Sequence, residues 1–394
     1  MSHGILQQLS MAAQDKTPVR GYTHNFYRYP ARFSPNFASA AIRLFSKPGD
    51  IVLDPYMGAG TTVIESILAG RCAIGADLNS LAVFLAKVKT TRITTTENNA
   101  LYHWAKKTIP SLKYDVPVDN AHVAPYDQRT KNMGVPRARF IKKVVDVALG
   151  TINNLPTCQS RNFARCAILR TTQWALDGRK THVPLSQYRL KLQEYISEML
   201  EQLDAFVGAV TAKYADFPRC MLLETDAGQI DKIPPFSTDD TKADLVVTSP
   251  PYPGLHILYH RWQVNGRRET PAPYWISGCQ DGQGDSYYNF GNRHQPGHHS
   301  YFETSLRTLR AIRNVLRPGA YMVQLLSFSD PLSQLPRYLA NMEAVRFKEV
   351  NFQGRENTTC DQRIWRDVPN RKWHANLQGR TSGSKEVVLV HIAS

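Results

Sequence analysis

Six short apolar runs in this chain are predicted as β-strands, and helical patterns separate several of them. The predicted strands lie at residues 51–54, 72–77, 220–224, 244–248, 321–326 and 386–392. Helical patterns at 63–69 and 301–317 come between them, and Gly70 ends the first. Strands that alternate with helices are typical of a parallel sheet with helices on its faces, so the sequence predicts an α/β fold. We expect the last strand to run antiparallel to a neighbour.

The alternation of strands and helices stops between residues 90 and 219. There, apolar side chains three and four residues apart predict one long amphipathic helix, at Leu185, Tyr188, Leu192, Met199, Leu203, Phe206 and Val210. The stretch 129–143 is basic and contains no acidic residue. We interpret the whole segment as a mostly helical insertion. Residues 1–20 lack strong periodicity and are predicted to form a loosely held arm.

Length and composition describe a globular chain with an excess of positive charge. Its 394 residues are 42% hydrophobic, and no uncharged apolar run is long enough to span a membrane. The segment Met1–Ile5 lacks the basic and apolar parts of a secretory signal, so we expect a cytoplasmic protein. The formal net charge of +15 is spread along the chain and favours a polyanionic partner with phosphate groups. A generically basic protein remains the alternative on charge alone.

A glycine turn follows the first predicted strand. The segment Asp54–Thr62 contains an acidic residue at the end of the strand, then Gly58-Ala59-Gly60 and the start of a helix. This arrangement binds nucleoside-bearing cofactors, and Asp77 ends the next strand, where an acidic residue accepts hydrogen bonds from ribose hydroxyls. The turn alone would also fit dinucleotide enzymes. It lacks the lysine of a P-loop, which argues against a phosphate-cleaving nucleotide enzyme.

A second motif, Ser249-Pro250-Pro251-Tyr252, directly follows the apolar run 244–248. The two prolines supply no backbone N–H and hold the chain extended, so the carbonyl groups before them point outward instead of joining a ladder. A rigid edge of hydrogen-bond acceptors beside a tyrosine suits a flat ring that carries an amino group. A Pro-Pro pair after a strand can equally be a plain loop.

Together, the two motifs resemble those of the amino-group DNA methyltransferases of the restriction-modification type. The resemblance implies a doubly wound, Rossmann-like methyltransferase sheet in which the two motif strands are central neighbours. It implies S-adenosylmethionine as cofactor, double-stranded DNA as substrate and a cognate restriction endonuclease as a candidate partner. The expected parts of the chain are 1–89 (cofactor-binding part of the catalytic domain), 90–219 (helical insertion, target recognition) and 220–394 (base-binding part and the remaining sheet).

Site residues follow from the resemblance position by position. The base-binding and catalytic residues are expected at Ser249, Pro250, Pro251 and Tyr252. The cofactor-binding residues are expected at Tyr29, Arg32, Phe33, Asp54, Pro55, Gly58, Gly60, Thr61, Thr62, Asp77, Leu78, Asn79, Asp226 and Ala227. For Asp226, an ordinary turn role is an equal alternative, and the aromatic segment that contains Tyr29 could also be a packing arm.

The cysteines and histidines show no pattern of metal binding, and no metal is expected. No cysteine forms a Cys-x-x-Cys pair, and we interpret all six as reduced core residues. His294, His298 and His299 are interpreted as a surface cluster. No cysteine follows a proline. Because cytosine C5 methylation uses a thiolate that follows a proline, covalent attack on the base is disfavoured.

The residue before Pro-Pro-Tyr bears on which amino group is methylated. In the family, serine is associated mainly with N4 of cytosine, whereas aspartate or asparagine is typical for N6 of adenine. Ser249 therefore favours cytosine N4, with adenine N6, an RNA amino methyltransferase and an inactive DNA-binding relative as alternatives. The long aromatic and basic segment 253–299, which includes Tyr274, suits phosphate contact and base stacking, with plain packing as its alternative.

Overall fold

The computed structural model describes residues 3–29, 34–113, 128–135, 138–179, 181, 183–253, 261–264, 268–281, 290, 299–350, 363–367 and 385–394. Its strands are β1 (Ile51–Asp54), β2 (Cys72–Asp77), β3 (Cys220–Glu224), β4 (Ala243–Thr248), β5 (Trp262–Val264), β6 (Arg268–Thr270), β7 (Leu316–Leu326), β8 (Phe347–Glu349), β9 (Ile364–Asp367) and β10 (Lys385–Ala393). Its helices are α1 (His3–Gln14), α2 (Pro35–Phe45), α3 (Thr61–Leu68), α4 (Ser80–Thr90), α5 (Thr95–His103), α6 (Arg139–Thr151), α7 (Cys158–Leu176), α8 (Leu185–Thr211), α9 (Ala272–Ser277), α10 (His299–Asn314) and α11 (Pro331–Ala344).

One mixed sheet organises the described residues, with the strand order β3-β2-β1-β4-β7-β10-β8 and with β9 also paired to β10. The strands from β3 to β7 are parallel, and β10 runs antiparallel to β7. From β1 the chain moves outward to β2 and β3 and then returns to β4 on the other side of β1. The winding therefore reverses between the two motif strands. The predicted doubly wound sheet and its antiparallel last strand are confirmed.

Both faces of the sheet are buried, which explains why its strands read as nearly continuous apolar runs. On one face, Val52 and Leu245 pack with α1 and α2. On the other face, Leu53 and Val246 pack with α10 and α11. Since neighbouring side chains along a strand point to opposite faces, β1 and β4 are anchored from both sides. This anchoring fixes the positions at which the two strands end.

The segment between β2 and β3 is helical in its described parts. Helix α8 begins at Leu185, as the apolar stripe predicts, and its stripe residues from Tyr188 to Val210 are buried. Helix α7 packs against α8 and also contacts α4 and α9. The boundaries of this segment as a domain, at residues 90 and 219, remain a prediction. Within the part of the chain that the structure describes, no helix is both long and apolar enough to cross a membrane.

The prediction of a loose N-terminal arm is wrong. Residues 3–14 form helix α1, in which Leu9 and Ala13 are fully buried against α2 and the sheet. Its apolar residues all lie between Ile5 and Ala13, a stretch too short to show a clear period. Packing on a partner helix stabilises a helix that is too short to be stable alone.

The predicted boundary between the helix and strand at residues 301–326 is also wrong. Helix α10 ends at Asn314, and β7 begins at Leu316 instead of Tyr321. The pairing of β7 with β4 shifts register between Ala243 and Leu245, opposite Leu316 and Tyr321. Pro318 and Gly319 lie in this irregular part of the ladder, where the missing N–H of a proline is tolerated.

Candidate active site

The two motifs meet at the carboxyl ends of β1 and β4, which pair directly through Val52 with Leu245 and Leu53 with Val246. Asp54 ends β1 and Thr248 ends β4. The hydroxyl of Thr248 donates a hydrogen bond to Oδ1 of Asp54 at 2.6 Å. This side-chain bond joins residues 194 positions apart and fixes the base motif relative to the glycine turn.

The glycine turn lies between β1 and α3 in a conformation that favours glycine. Gly58 and Gly60 have φ values of 50° and 83°, in the left-handed region. The Gly60 N–H donates to the carbonyl of Met57 at 2.8 Å. A Cβ at Gly58 would lie 3.3 Å from a ring carbon of Tyr29, and one at Gly60 would lie 3.1 Å from Cβ of Ala86. Side chains at either position would therefore crowd the turn.

Helix α3 connects the glycine turn to β4. It begins at Thr61, and Thr61 and Thr62 are both buried. The hydroxyl of Thr62 donates to the carbonyl of Val247 at 3.1 Å. The N-terminus of α3 is thus fastened next to the strand that delivers the base motif. Pro55, between Asp54 and the turn, is buried as well.

Asp77 supports the turn from the end of β2. Its Oδ2 accepts the N–H of Gly58 at 2.8 Å, and its Oδ1 accepts the N–H of Asn79 at 2.8 Å. Burial raises the pKa of Asp77 to about 6, although these N–H groups favour the charged form. Leu78, the next residue, is half-buried. The structure thus brings Asp77, which is predicted to bind the ribose, into direct contact with Gly58 of the glycine turn.

Asn79 connects three elements behind the turn. Its Oδ1 caps α4 by accepting the N–H of Leu81 at 3.0 Å, and it also accepts the hydroxyl of Tyr274 at 3.0 Å. Its Nδ2 donates to the hydroxyl of Tyr29 at 3.2 Å. Tyr274 on α9 is fully buried, so packing, not base stacking, is its role. The ring of Tyr29 also lies beside Gly58 of the glycine turn. Arg32 and Phe33 lie outside the described residues.

Asp54 is buried and incompletely paired. Burial raises its pKa to about 6, and the hydrogen bond from Thr248 acts in the opposite direction. Its Oδ1 also accepts the N–H of Tyr56 at 3.1 Å. Among the described residues, Oδ2 of Asp54 has no hydrogen-bond partner. A buried carboxylate oxygen of this kind is a good acceptor for a donor group of a ligand.

Asp226 and Ala227 follow β3, the outermost strand on this side. Oδ1 of Asp226 accepts the N–H of Gly228 at 2.9 Å, and its Oδ2 forms an ion pair with Arg307 at 2.8 Å. Ala227 is buried at the start of a short helical turn. These contacts are those of a turn residue, and the adenine role of Asp226 remains a prediction.

The base motif leaves β4 with Ser249 half-buried, Pro250 buried, and Pro251 and Tyr252 half-buried. The hydroxyls of Ser249 and Tyr252 lie 2.9 Å apart. Tyr252 donates its hydroxyl proton to Oε1 of Glu386 at 2.9 Å. The hydroxyl of Tyr301 donates to the carbonyl of Pro251 at 3.0 Å. These contacts form the second half of the site.

The supporting residues Glu386 and Tyr301 were missed by sequence reasoning. Glu386 directly precedes four consecutive apolar residues of β10, so one charged residue there looked like an ordinary strand end. Tyr301 is buried, and its ring contacts Phe290 at 5.6 Å between centroids. Phe290 in turn contacts Tyr56 at 5.6 Å. An aromatic cluster of Tyr56, Phe290 and Tyr301 therefore borders both motifs. No signal in the sequence indicated this cluster, and the charge of Glu386 at the end of a predicted strand was the only signal for the other supporting residue.

Among the described residues, no group of three or more histidine, cysteine or acidic side chains is arranged to hold a metal ion. The charged groups near the two motifs are instead engaged with backbone N–H groups and with arginine side chains.

Comparison with known proteins places the first motif in a family. Residues 12–87, which contain the glycine turn and Asp77, match the DNA methylase family. The type II methyltransferase M.MvaI of Kocuria varians is 33% identical over 100 residues, which make up 23% of this chain and 22% of that protein. The type II methyltransferase M.MjaII of Methanocaldococcus jannaschii is 31% identical over 68 residues, or 17% of this chain and 13% of that protein. The similarity thus spans less than a quarter of either relative.

Two solved methyltransferase structures are similar to this chain at low identity. The rRNA methyltransferase aviRa from Streptomyces viridochromogenes is 10% identical, with 97% of this chain and 95% of that chain covered and a TM-score of 0.35. TrmN from Thermus thermophilus is 12% identical, with 91% and 49% covered and a TM-score of 0.30. Such values support no statement about a substrate.

The family match and both curated relatives confirm the resemblance that the paired motifs predict. The family match contains the glycine turn and Asp77, which belong to the first of the two motifs. Over residues 12–87 the chain is therefore similar to the amino-group DNA methyltransferases of the restriction-modification type, a family whose methyl donor is S-adenosylmethionine.

Proposed function

We propose that this chain transfers a methyl group from S-adenosylmethionine to N4 of cytosine in double-stranded DNA. The observation that carries the proposal is the junction of the two motifs, where Thr248 at the end of β4 donates to Asp54 at the end of β1. Ligands of doubly wound sheets bind where the winding reverses, and the junction lies at that point. A methyl donor and a base held by the two motifs would therefore face each other.

The residues around the glycine turn fit the cofactor. The left-handed Gly58 would place a Cβ 3.3 Å from the ring of Tyr29, so the turn favours glycine at this position. Asp77 at the end of β2 would accept hydrogen bonds from the ribose hydroxyls. Oδ2 of Asp54, which has no hydrogen-bond partner among the described residues, would accept a hydrogen bond from a donor group of the ligand. Asn79 and Leu78 would border the adenine. When bound, the cofactor supplies a reactive methyl group on a positively charged sulfur.

The base motif fits an amino-bearing ring that has rotated out of the duplex. The exocyclic nitrogen of the base is a poor nucleophile because its lone pair is delocalised into the ring. Acceptors around its N–H groups, namely the Ser249 hydroxyl and the Pro250 carbonyl, would draw the nitrogen towards a tetrahedral state. The ring of Tyr252 would stack on the base and offset a few kcal/mol of lost stacking. Catalysis by this site depends mainly on alignment.

The choice of cytosine N4 rests on Ser249 before Pro-Pro-Tyr, and the choice of DNA rests on the family. The basic helical segment 90–219 is proposed to recognise the target, with the segment after Tyr252 as a second contributor. Helix α6 begins with Arg139, and the exposed Arg139 and Lys143 lie on it. Such side chains suit contacts with phosphates, which give salt-dependent affinity.

Methyl transfer with labelled cofactor tests the proposal. The purified chain is incubated with radiolabelled S-adenosylmethionine and either duplex DNA or RNA, and the products are digested to nucleosides. We expect label in duplex DNA as N4-methylcytosine. Label found as N6-methyladenine would overturn the choice of base, and label found only in RNA would overturn the choice of nucleic acid. Cofactor binding without transfer to any substrate would identify an inactive DNA-binding relative.

A further inference from the structure

A chain of hydrogen bonds connects the base motif to a buried ion pair. Glu386 is 4% exposed and Arg366 is 8% exposed. Oε2 of Glu386 accepts from Nε of Arg366 at 2.8 Å and from a second guanidinium nitrogen at 2.7 Å. Oε1 of the same carboxylate accepts the hydroxyl proton of Tyr252 at 2.9 Å, and Ser249 lies 2.9 Å beyond that hydroxyl. Each oxygen of the carboxylate thus has its own partner.

The ion pair is held from a third side. Another nitrogen of Arg366 donates to the carbonyl of Ala13 at 3.2 Å, near the end of helix α1. The side chain of Gln14 donates to the carbonyl of Trp365 at 2.8 Å. Helix α1 and strand β9 therefore fix the guanidinium, and the guanidinium fixes the carboxylate in the orientation that meets Tyr252.

This geometry settles the direction of the hydroxyl protons. A carboxylate paired with arginine only accepts hydrogen bonds, and a tyrosine hydroxyl has a single proton to donate. Because Tyr252 gives that proton to Glu386, its contact with Ser249 must use the proton of Ser249. The lone pairs of the Ser249 hydroxyl then remain to accept an N–H group of a substrate. Without the carboxylate, either hydroxyl could donate to the other.

We propose that Glu386, held by Arg366, is the positioning residue of the base motif. It orients Tyr252 as donor and thereby makes Ser249 a hydrogen-bond acceptor for the exocyclic amino group. The inference rests on the proposed methyl transfer, since it names how that site selects an amino-bearing base. Neither residue touches the base in this scheme, and both act through the Tyr252 hydroxyl.

Kinetics of Glu386→Gln and Tyr252→Phe, singly and together, test the positioning role. The amide of glutamine can donate a hydrogen bond to the Tyr252 hydroxyl and so reverse the direction of the hydrogen bonds from Ser249 through Tyr252. Phenylalanine keeps the ring and removes the hydroxyl. We expect each single variant to lower kcat by about 10- to 100-fold, with KM for S-adenosylmethionine within about twofold of the parent. We expect the double variant to be no slower than the slower single one, because both changes break the same chain.

The matched control is Glu349→Gln. Glu349 forms a similar pair with Arg363, at 2.6 and 2.8 Å, and lies on β8 opposite His391, towards the other end of β10 from Glu386 and outside the site. We expect this variant to keep the parental kcat. Equal kcat values in the Glu386→Gln and Glu349→Gln variants would overturn the proposal. Multiplicative losses in the double variant of Glu386 and Tyr252 would also overturn it, since they would indicate independent structural effects.

A second pair of variants avoids an unpaired buried charge, which Glu386→Gln creates at Arg366. Ser249→Ala and Tyr252→Phe leave the ion pair intact, and we expect their combined loss of kcat to be no larger than the larger single loss. Independent losses would overturn the proposal even if Glu386→Gln does not fold.

A readout that needs no turnover separates this inference from the proposed function. In protein labelled with 3-fluorotyrosine, the fluorine resonance that disappears in Tyr252→Phe belongs to Tyr252. We expect it to shift in Glu386→Gln and to stay in place in Glu349→Gln. A parent chain without methyl transfer would refute the proposed function, whereas an unmoved Tyr252 resonance in Glu386→Gln would refute the positioning contact.

Discussion

The two halves of the site are held by different kinds of contact, although they end neighbouring strands. Around the glycine turn, backbone N–H groups of Gly58 and Asn79 bind the carboxylate of Asp77, within about twenty residues of chain. The base motif is held by side chains far along the chain, with Glu386 bound to Tyr252 across 134 positions. The cofactor half is thus encoded locally, whereas the base half takes shape only when distant strands have paired.

The largest expected effect comes from breaking the local half at Gly60→Val. A side chain there would face a left-handed φ of 83° and the Cβ of Ala86 at 3.1 Å. We expect the Kd of S-adenosylmethionine to rise by about 1,000-fold, or about 4 kcal/mol, measured by calorimetry. Gly49→Val is the control, because Gly49 has a similar φ of 89° and no heavy atom within 4 Å of an added Cβ. Equal affinity in the two variants would mean that the turn does not hold the cofactor.

Breaking the other half at Tyr252→Ala should separate transfer from cofactor binding. Loss of the ring that stacks on the base is expected to lower the rate of methyl transfer to DNA by about 100-fold, or about 3 kcal/mol. The Kd of S-adenosylmethionine should stay within about twofold of the parent. Asp77→Ala is the mirror variant and should lose cofactor binding. Parental transfer by Tyr252→Ala would contradict the assignment of the base pocket.

The bond between the halves is tested by Thr248→Val. This variant removes the donor to Oδ1 of the buried Asp54 and should lower the free energy of unfolding by about 2 kcal/mol, measured by urea denaturation. Thr211→Val is the control on an exposed helix end, where the lost hydroxyl bonded only to helix carbonyls. A loss no larger than that of the control would show that the junction contributes little to stability.

The smallest expected effect is a pH dependence of the cofactor half. Burial raises the pKa of Asp77 from 3.8 to about 6, so the carboxylate becomes protonated below pH 6 and loses its capacity as acceptor. The Kd of S-adenosylmethionine should rise by at most about tenfold per pH unit below 6 and be constant above 7. The contribution of Asp77 to stability runs in the opposite direction and declines as pH rises from about 4 to about 6.

Asp77→Asn isolates this titration from that of Asp54, whose pKa is also raised to about 6 by burial. The variant should bind the cofactor weakly at every pH between 5 and 8. A parental pH profile in Asp77→Asn would assign the dependence to Asp54 or to another group.

The contrast between the two halves also explains what could be predicted from the sequence. Strand β2 and the long helix α8 begin where their patterns indicate, because each is defined by its own apolar spacing. The glycine turn is recognisable for the same reason. Helix α1 was missed because its apolar residues form a stretch too short to show a clear period, and they become informative only when α2 lies beside them. The start of β7 at Leu316 was missed because an irregular pairing with β4 tolerates Pro318.

The supports of the base motif were beyond sequence reasoning for a related reason. Glu386 and Arg366 are ordinary charged residues among strand residues, and nothing in their spacing indicates that they pair. Tyr301 lies in a helical pattern that predicts burial for every apolar position, so the pattern does not distinguish Tyr301 from its neighbours. Only the order of the strands brings these three side chains to Ser249 and Tyr252.

Arg366 is bonded both to Ala13 and to Glu386, so helix α1 and strand β10 converge on one guanidinium. A ribosome that has made every residue of both motifs has therefore not yet made the carboxylate on which Tyr252 depends. Nascent protein would therefore stay unable to align a base until strand β10 emerges.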